Sequence, residues 1–320
     1  MGAFMQQKPI KIIFDTDIGV DCDDAGALAL IHRLCDKNEA ELLAVTHCFN
    51  SPYFAGCIDA INHFYGREVP VGINYQEEVC ENPCGTYAYD LYEKCENKYY
   101  NGEEPYDTLA LLRKTLYEAE DNSVTLVVTG ALNSMARLIT SEKDDICDMT
   151  GKELINKKIA RTVLMGGRFF ESWPMPIYES GDPTHHLMTW EYNIKFSGYD
   201  NAKTVFDNWC GELVLSSYEI GSYIVTMKGY AKRAEEGDPV ALAYILHNND
   251  TGRCSWDHTA VLEAIRPSVY WNLHKFGKIS VDEEMVTTFK ECENFKHSYL
   301  LPKVDYEEIR KVIDDLVDGK

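Results

Sequence analysis

Short apolar runs alternate with longer, mixed segments along most of the chain. Lys11–Phe14 (KIIF) is a compact apolar run that ends in an acidic turn, as a buried parallel strand does. Ala25–Leu34 (AGALALIHRL) is apolar almost all round and predicts a buried helix. Leu42–Thr46 predicts a second strand and Tyr53–Tyr65 a second helix. Val124–Val128 (VTLVV) is a third strand, followed by a helix over Ser134–Ile139. Thr162–Met165 is a fourth, closing at Gly166-Gly167. Asn201–Asp207 reads as helix, Leu213–Leu215 as strand, and Tyr306–Val317 as a closing amphipathic helix. Repeated strand-then-helix order implies a single α/β domain over residues 1–320, with a mostly parallel central sheet flanked by helices.

No repeat, low-complexity tract or Pro/Ser-rich linker interrupts this alternation. Glu77–Glu104 is polar and tyrosine-rich and reads as a loop insertion, and Phe169–Thr189 is irregular and aromatic. Loops beyond the carboxyl ends of parallel strands are where such sheets bind ligands.

Charge narrows the partners. Lys and Arg number 31 against 52 Asp and Glu, a formal net charge of −21. That balance argues against nucleic acid and anionic membranes, which both attract basic surfaces. No stretch approaches the roughly 18 apolar residues of a membrane span. The eleven cysteines include no Cys-x-x-Cys pair and read as reduced thiols of a cytoplasmic protein. Cys80, Cys84 and Cys95 are the closest set, spaced too loosely to suggest zinc.

The densest chemistry lies directly after the first strand. Five of the ten residues in Asp15–Asp24 (DTDIGVDCDD) are aspartate, with no basic residue nearby in sequence. Two like charges 4 Å apart at an effective dielectric of 20 repel by about 4 kcal/mol. A bound hard cation relieves that repulsion, and carboxylate ligands favour calcium or magnesium over zinc. Helix capping by Asp23 or Asp24 explains one aspartate and not five. An EF-hand fails for want of a glutamate at its twelfth position. Asp15-Thr16-Asp17 also fits a magnesium-dependent aspartyl phosphatase with Asp15 as nucleophile, a reading that further requires a downstream Lys and a second acidic pair.

Further segments bear on the choice. Asp15-Thr16-Asp17-Ile18-Gly19 with Asp23-Asp24-Ala25 is joined in order by Ala44–Asn50, by Thr129-Gly130-Ala131-Leu132-Asn133, by Met165-Gly166-Gly167, by Glu191-Tyr192-Asn193, and by Trp256-Asp257-His258-Thr259-Ala260-Val261. Together these resemble the calcium-dependent nucleoside hydrolases of the inosine–uridine-preferring type, over roughly residues 10–265. The first motif departs from the family's by two extra residues and by Ile18 in place of Pro.

The resemblance implies calcium held by Asp17, Asp24, Asp257 and the Thr129 carbonyl, with Asp17 taking the proton of a calcium-bound water that attacks the anomeric carbon. Asp23 would hydrogen-bond the sugar 2′-hydroxyl, with Asp21 as the alternative. Asn193 and Glu191 would bind the remaining hydroxyls, Asn50 and Met165 would line the sugar pocket, and His185 stands where the family places an Asn. Asp15 would orient its neighbours from behind. Trp256 replaces the histidine that protonates the leaving base in the inosine–uridine branch. A purine-preferring branch has Trp there, stacked on the base, which leans the expected substrate toward purine ribonucleosides. Tolerance of the loss of any single histidine follows. The implied partner is a nucleoside or related sugar, and the implied assembly is a dimer or tetramer. A non-catalytic calcium- or sugar-binding homologue is the remaining alternative.

Overall fold

Alternate residues of strand β1 (Ile10–Thr16) enter two different cores. Ile12 and Phe14 pack into one cluster and Ile13 into another. The same division recurs at β5 (Val124–Val128), with Val127 on one face and Leu126 and Val128 on the other. A strand buried on both faces has no polar side, which is why these segments read as unbroken apolar runs.

The computed structural model describes residues 8–77, 87–169 and 189–320. After β1 come α1 (Asp23–Asp36), β2 (Ala40–His47), α2 (Pro52–Phe64), β3 (Val71–Ile73), α3 (Tyr87–Lys94), β4 (Tyr106–Asp107) and α4 (Thr108–Glu118). Beyond β5 lie α5 (Asn133–Thr140), α6 (Gly151–Lys158), β6 (Ile159–Met165), α7 (Tyr192–Ser197), α8 (Tyr199–Asn208), β7 (Leu213–Ser216) and α9 (Tyr218–Ser222). The chain ends through β8 (Val225–Thr226), α10 (Pro239–Asn248), β9 (Arg253–Cys254), α11 (Trp256–Ile265), β10 (Trp271–Leu273), β11 (Gly277–Val281), β12 (Thr287–Glu291), β13 (His297–Pro302) and α12 (Tyr306–Val317).

The sheet runs β12-β11-β13-β7-β6-β5-β1-β2-β3-β4, with β10 paired to β13. Every neighbouring pair from β4 across to β13 is parallel, and β10, β11 and β12 add an antiparallel edge. Helices α1, α2 and α11 contribute to the core on one face, and α5, α6 and α8 to that on the other. The predicted α/β architecture is therefore the observed one. The polar segment 77–104 contains a helix: α3 buries Tyr87, Ala88 and Leu91 against the core that α2 shares.

Local chemistry sets several helix starts. Ser51 accepts from the Tyr53 N–H ahead of Pro52, and Thr150 with Glu153 forms a reciprocal capping box. Among the described residues no helix is long and apolar enough to cross a membrane.

Candidate active site

Parallel pairing brings the carboxyl ends of β1, β2, β5 and β6 to one edge of the sheet. Asp15 aligns there with Thr46 on one side and Val128 on the other. The Thr129 N–H donates to the Asp15 carbonyl (2.7 Å), which extends the β1–β5 ladder to the strand tips. Gly130 makes this approach possible: a Cβ on it would sit 2.8 Å from the Asp17 nitrogen and 2.8 Å from the Thr16 carbonyl carbon.

Two helix N-termini converge on the same edge. Asp23 and Asp24 lie in the first turn of α1 and Asp257 in the first turn of α11. The positive ends of both helix dipoles favour carboxylates there. Neither Asp23 nor Asp24 caps α1, because the capping position is Cys22. The Asp257 N–H donates to Asp23 (3.2 Å), and Thr16 and Thr129 hydroxyls donate to Asp24. All three aspartates are buried, and carboxylate oxygens of Asp23, Asp24 and Asp257 lie within 4.8 Å of one another. Burial pushes all three carboxyls well above the usual carboxylate range, with repulsion from Asp21 and Asp17 added at Asp23, from Asp17 and Asp23 at Asp24, and from Asp23, Asp24 and Asp17 at Asp257. Asp17, on the same wall, is pushed up to about 7 by burial and by Asp21. Closely spaced buried carboxylates of this kind fit a hard divalent cation.

These groups open into a cavity of about 450 Å³, lined by Asp17, Asp21, Asp23, Asp24, Thr129, Met165, Glu191, Asn193, Trp256 and Asp257 among others. That volume suits a small organic ligand. Glu191 caps α7, accepting from the N–H groups of Asn193 (2.9 Å) and Ile194 (3.1 Å), and burial pushes its carboxyl up to about 7. Asn193 turns inward, and its amide donates to the carbonyls of Thr129 (2.7 Å) and Met165 (3.2 Å). The Thr129 carbonyl thus reaches the cavity already holding one donor, and its second lone pair remains for a cation.

The fold assembles most of the sequence-predicted residues on this one wall. Asn50 is not among the lining residues: its N–H donates to the Glu77 carbonyl (2.8 Å). His185 lies outside the described residues. Asp15 lies beneath the wall, accepting from the Thr46 hydroxyl (2.6 Å), which leaves it poorly placed as a phosphatase nucleophile. His258 is fully buried, its ring pushed down to about 3 by burial, and it does not line the cavity. Asp21 is turned to another task. Burial opposes its charge, but Arg253 outweighs burial and holds the carboxyl below the usual range. Arg253 Nε lies 2.9 Å from both Asp21 oxygens, and His247 Nε2 lies 3.3 Å from Oδ1. Asp23, not Asp21, therefore stands with the carboxylate trio.

A family model described as inosine-uridine preferring nucleoside hydrolase matches residues 12–305. The chain belongs to the nucleoside hydrolase family. Solved nucleoside hydrolases are among the structural likenesses. The inosine-uridine preferring enzyme of Bacillus anthracis superposes with a TM-score of 0.69 at 16% identity, covering 97% of this chain and 100% of that one. A purine-preferring ribonucleoside hydrolase from Gardnerella vaginalis gives 0.70 at 15% identity, covering 97% and 98%. The type III effector XopQ, solved with adenosine diphosphate ribose, gives 0.67 at 12% identity, covering 98% and 95%. No curated protein sequence matches the chain.

This nucleoside hydrolase carries cavity residues that motif reading passes over. Tyr218, His247 and Arg253 line the site yet lie outside the quoted motifs. A signal for Arg253 was present in the sequence: five clustered aspartates need a counter-charge, and Arg253 stands three positions before the Trp256-Asp257 motif.

Proposed function

We propose that this nucleoside hydrolase cleaves the N-glycosidic bond of ribonucleosides, with a lean toward purine bases. The observation that carries the proposal is the buried Asp23–Asp24–Asp257 trio in a cavity that also presents Asp17, Glu191 and Asn193. Asp17, Asp24, Asp257 and the Thr129 carbonyl would hold a calcium ion, with Asp23 close enough to share it. When bound, the ion would supply the charge that keeps these carboxylates ionised, acidifies a water and fixes a sugar diol.

The chain's own residues account for the rest of the chemistry. Asp17 takes the proton of the attacking water, from its place on the cavity wall beside the carboxylate trio. Asp23 and Asn193 hold the 2′- and 3′-hydroxyls, and Glu191 the outer hydroxyl, where its burial and three backbone donors fix its orientation. Clustered carboxylates favour the positive charge that develops on the sugar ring as the base leaves. The purine lean rests on Trp256 standing where the purine-preferring branch has Trp, not on an open ring face for stacking, and on the likeness to a relative described as purine-preferring.

Chromatographic detection of free base from inosine, adenosine and uridine, with calcium and with chelator, tests the proposal. Calcium-dependent release that is faster for purines is expected. Release of phosphate from phosphate esters, or a ligand-dependent rise in melting temperature without turnover, would replace the proposal with a phosphatase or a binding protein.

A further inference from the structure

Beside Trp256 the cavity wall holds an arginine to which the family resemblance assigns no role. Arg253 is clamped by Asp21: Nε lies 2.9 Å from each carboxylate oxygen, and Nη2 makes a further short bond to Oδ2. This fork uses Nε–H and one Nη2–H and fixes the guanidinium plane. Among the described residues Nη1 has no hydrogen-bond partner, and Arg253 lines the cavity. Asp21 belongs to the acidic loop whose two extra residues set this chain apart from the family's opening motif.

Trp256 is committed to protein contacts. Its indole N–H donates to the Tyr218 carbonyl (2.9 Å) and lies 3.1 Å from the Ser222 hydroxyl. Its ring is stacked on Tyr218 at 5.4 Å, the Arg253 guanidinium carbon sits 4.9 Å from its centroid, and 8% of its surface is exposed. A side chain so placed offers little open face for a base to stack on. The polar group that its ring supports is a fixed positive charge.

Hydrolysis makes a demand that such a charge can meet. As the C1′–N bond breaks, its electron pair goes to the base, which leaves as an anion unless something protonates it. The residue before Asp257 is Trp rather than a histidine, and His258 is buried away from the cavity. Resting on the reading of this site as a nucleoside hydrolase, we infer that Arg253, oriented by Asp21, stabilises the departing base through Nη1 and so takes the place of a proton donor. The water oxygen forms the new C1′–O bond and its proton goes to Asp17. The base anion is protonated by solvent after release, Asp17 returns its proton to solvent, and the arginine stays charged throughout.

The test is steady-state kinetics of the calcium-loaded full chain on inosine and on p-nitrophenyl β-D-riboside, whose phenolate leaves as a stable anion without help. Removing one preorganised donor costs about 10²–10³ in kcat. Arg253→Gln should therefore lower the ratio of kcat on inosine to kcat on the phenyl riboside by about a hundredfold. Arg253→Lys keeps the charge without the fork and should lower it by at least about tenfold; it carries the test if the glutamine variant does not fold by circular dichroism. Equal losses on both substrates, or no loss on either, overturn the inference and leave the hydrolase reading intact. A larger selective loss in His247→Gln overturns it in favour of His247 as the acid. Wild-type protein that hydrolyses neither substrate removes the hydrolase reading and the inference with it.

Discussion

Acidification should unfold this protein partly through His47, and the size of that contribution follows from its surroundings. The ring is fully buried and stacked on Phe54 at 4.0 Å. The Phe49 N–H donates to Nδ1 (3.0 Å), and Nε2 lies 3.2 Å from the Ile18 carbonyl, which assigns the proton to Nε2. A second proton brings a charge into the core, and although the Phe49 carbonyl lies 3.2 Å from Nδ1, burial outweighs it and pushes the ring down to about 4. The fall from an ordinary 6.5 to about 4 corresponds to about 3 kcal/mol. The unfolded chain binds the extra proton below pH 6.5 and the folded chain does not until about pH 4. The contribution is thus complete above pH 6.5 and is lost as the pH falls through that window. His47→Gln removes the titration while keeping a donor and an acceptor. Urea unfolding of both proteins from pH 8 to pH 4 is the assay. The wild type should lose about 3 kcal/mol more than the variant across the window, a difference that cancels the titration of the other buried histidines. Parallel curves would refute the reasoning, and would mean that the ring reorients or that water reaches it.

The remaining predictions concern the carboxylate site. Asp17→Ala and Asp257→Ala should each abolish calcium binding in titration calorimetry and base release in the kinetic assay. Calcium at a hundredfold excess over its dissociation constant should stabilise the wild type by about 2.7 kcal/mol, read as a rise in melting temperature that chelator reverses. That rise should be larger at pH 8 than at pH 5: without the ion, carboxyls raised by burial keep their proton in the fold, and the stability this gives is lost as pH rises through their raised values, about 7 for Asp17. Gly130→Ala puts its Cβ against the backbone of Thr16 and Asp17, and should cost about 1–3 kcal/mol in denaturant unfolding while weakening calcium binding by displacing both strand tips.

What the sequence revealed depended on whether a local pattern carried the information. Val124–Val128 and Tyr306–Val317 match their predicted bounds because an unbroken apolar run and an amphipathic period are local signals. The antiparallel edge left no such mark: β12 reads Thr-Thr-Phe-Lys-Glu, a half-exposed strand without an apolar run. Helix α3 was hidden for a similar reason, since its tyrosines and charges look like loop until they meet α2. In the site, Asp23, Asp24, Thr129, Glu191, Asn193 and Asp257 were legible because each sits at the end of a strand or the start of a helix, where a short motif fixes its geometry. Asn50 followed the same logic but is not among the residues lining the cavity, and its backbone N–H is bonded to the Glu77 carbonyl.

The charge balance of the site was the least legible property, and it has the most consequence. Five aspartates in ten residues suggest one uniform demand for cations, yet the fold divides them three ways. Asp15 stays beneath the wall, held by Thr46 and by a raised pKa of about 7 that spares it part of its charge. Asp23 and Asp24 join Asp257 in a buried cluster able to hold a metal ion, with Asp17 lining the same cavity. Asp21 meets a cation the chain itself supplies, 232 residues away in sequence. A loop with Asp21 unpaired would place one more negative charge beside the proposed metal site and, on the proposed reaction, beside a departing anion, opposing the release of the base. With Arg253 in place the same cavity wall presents negative charge at the carboxylate trio and positive charge beside Trp256. That polarity is the one an N-glycosidic bond needs as it breaks, with cation developing on one partner and anion on the other.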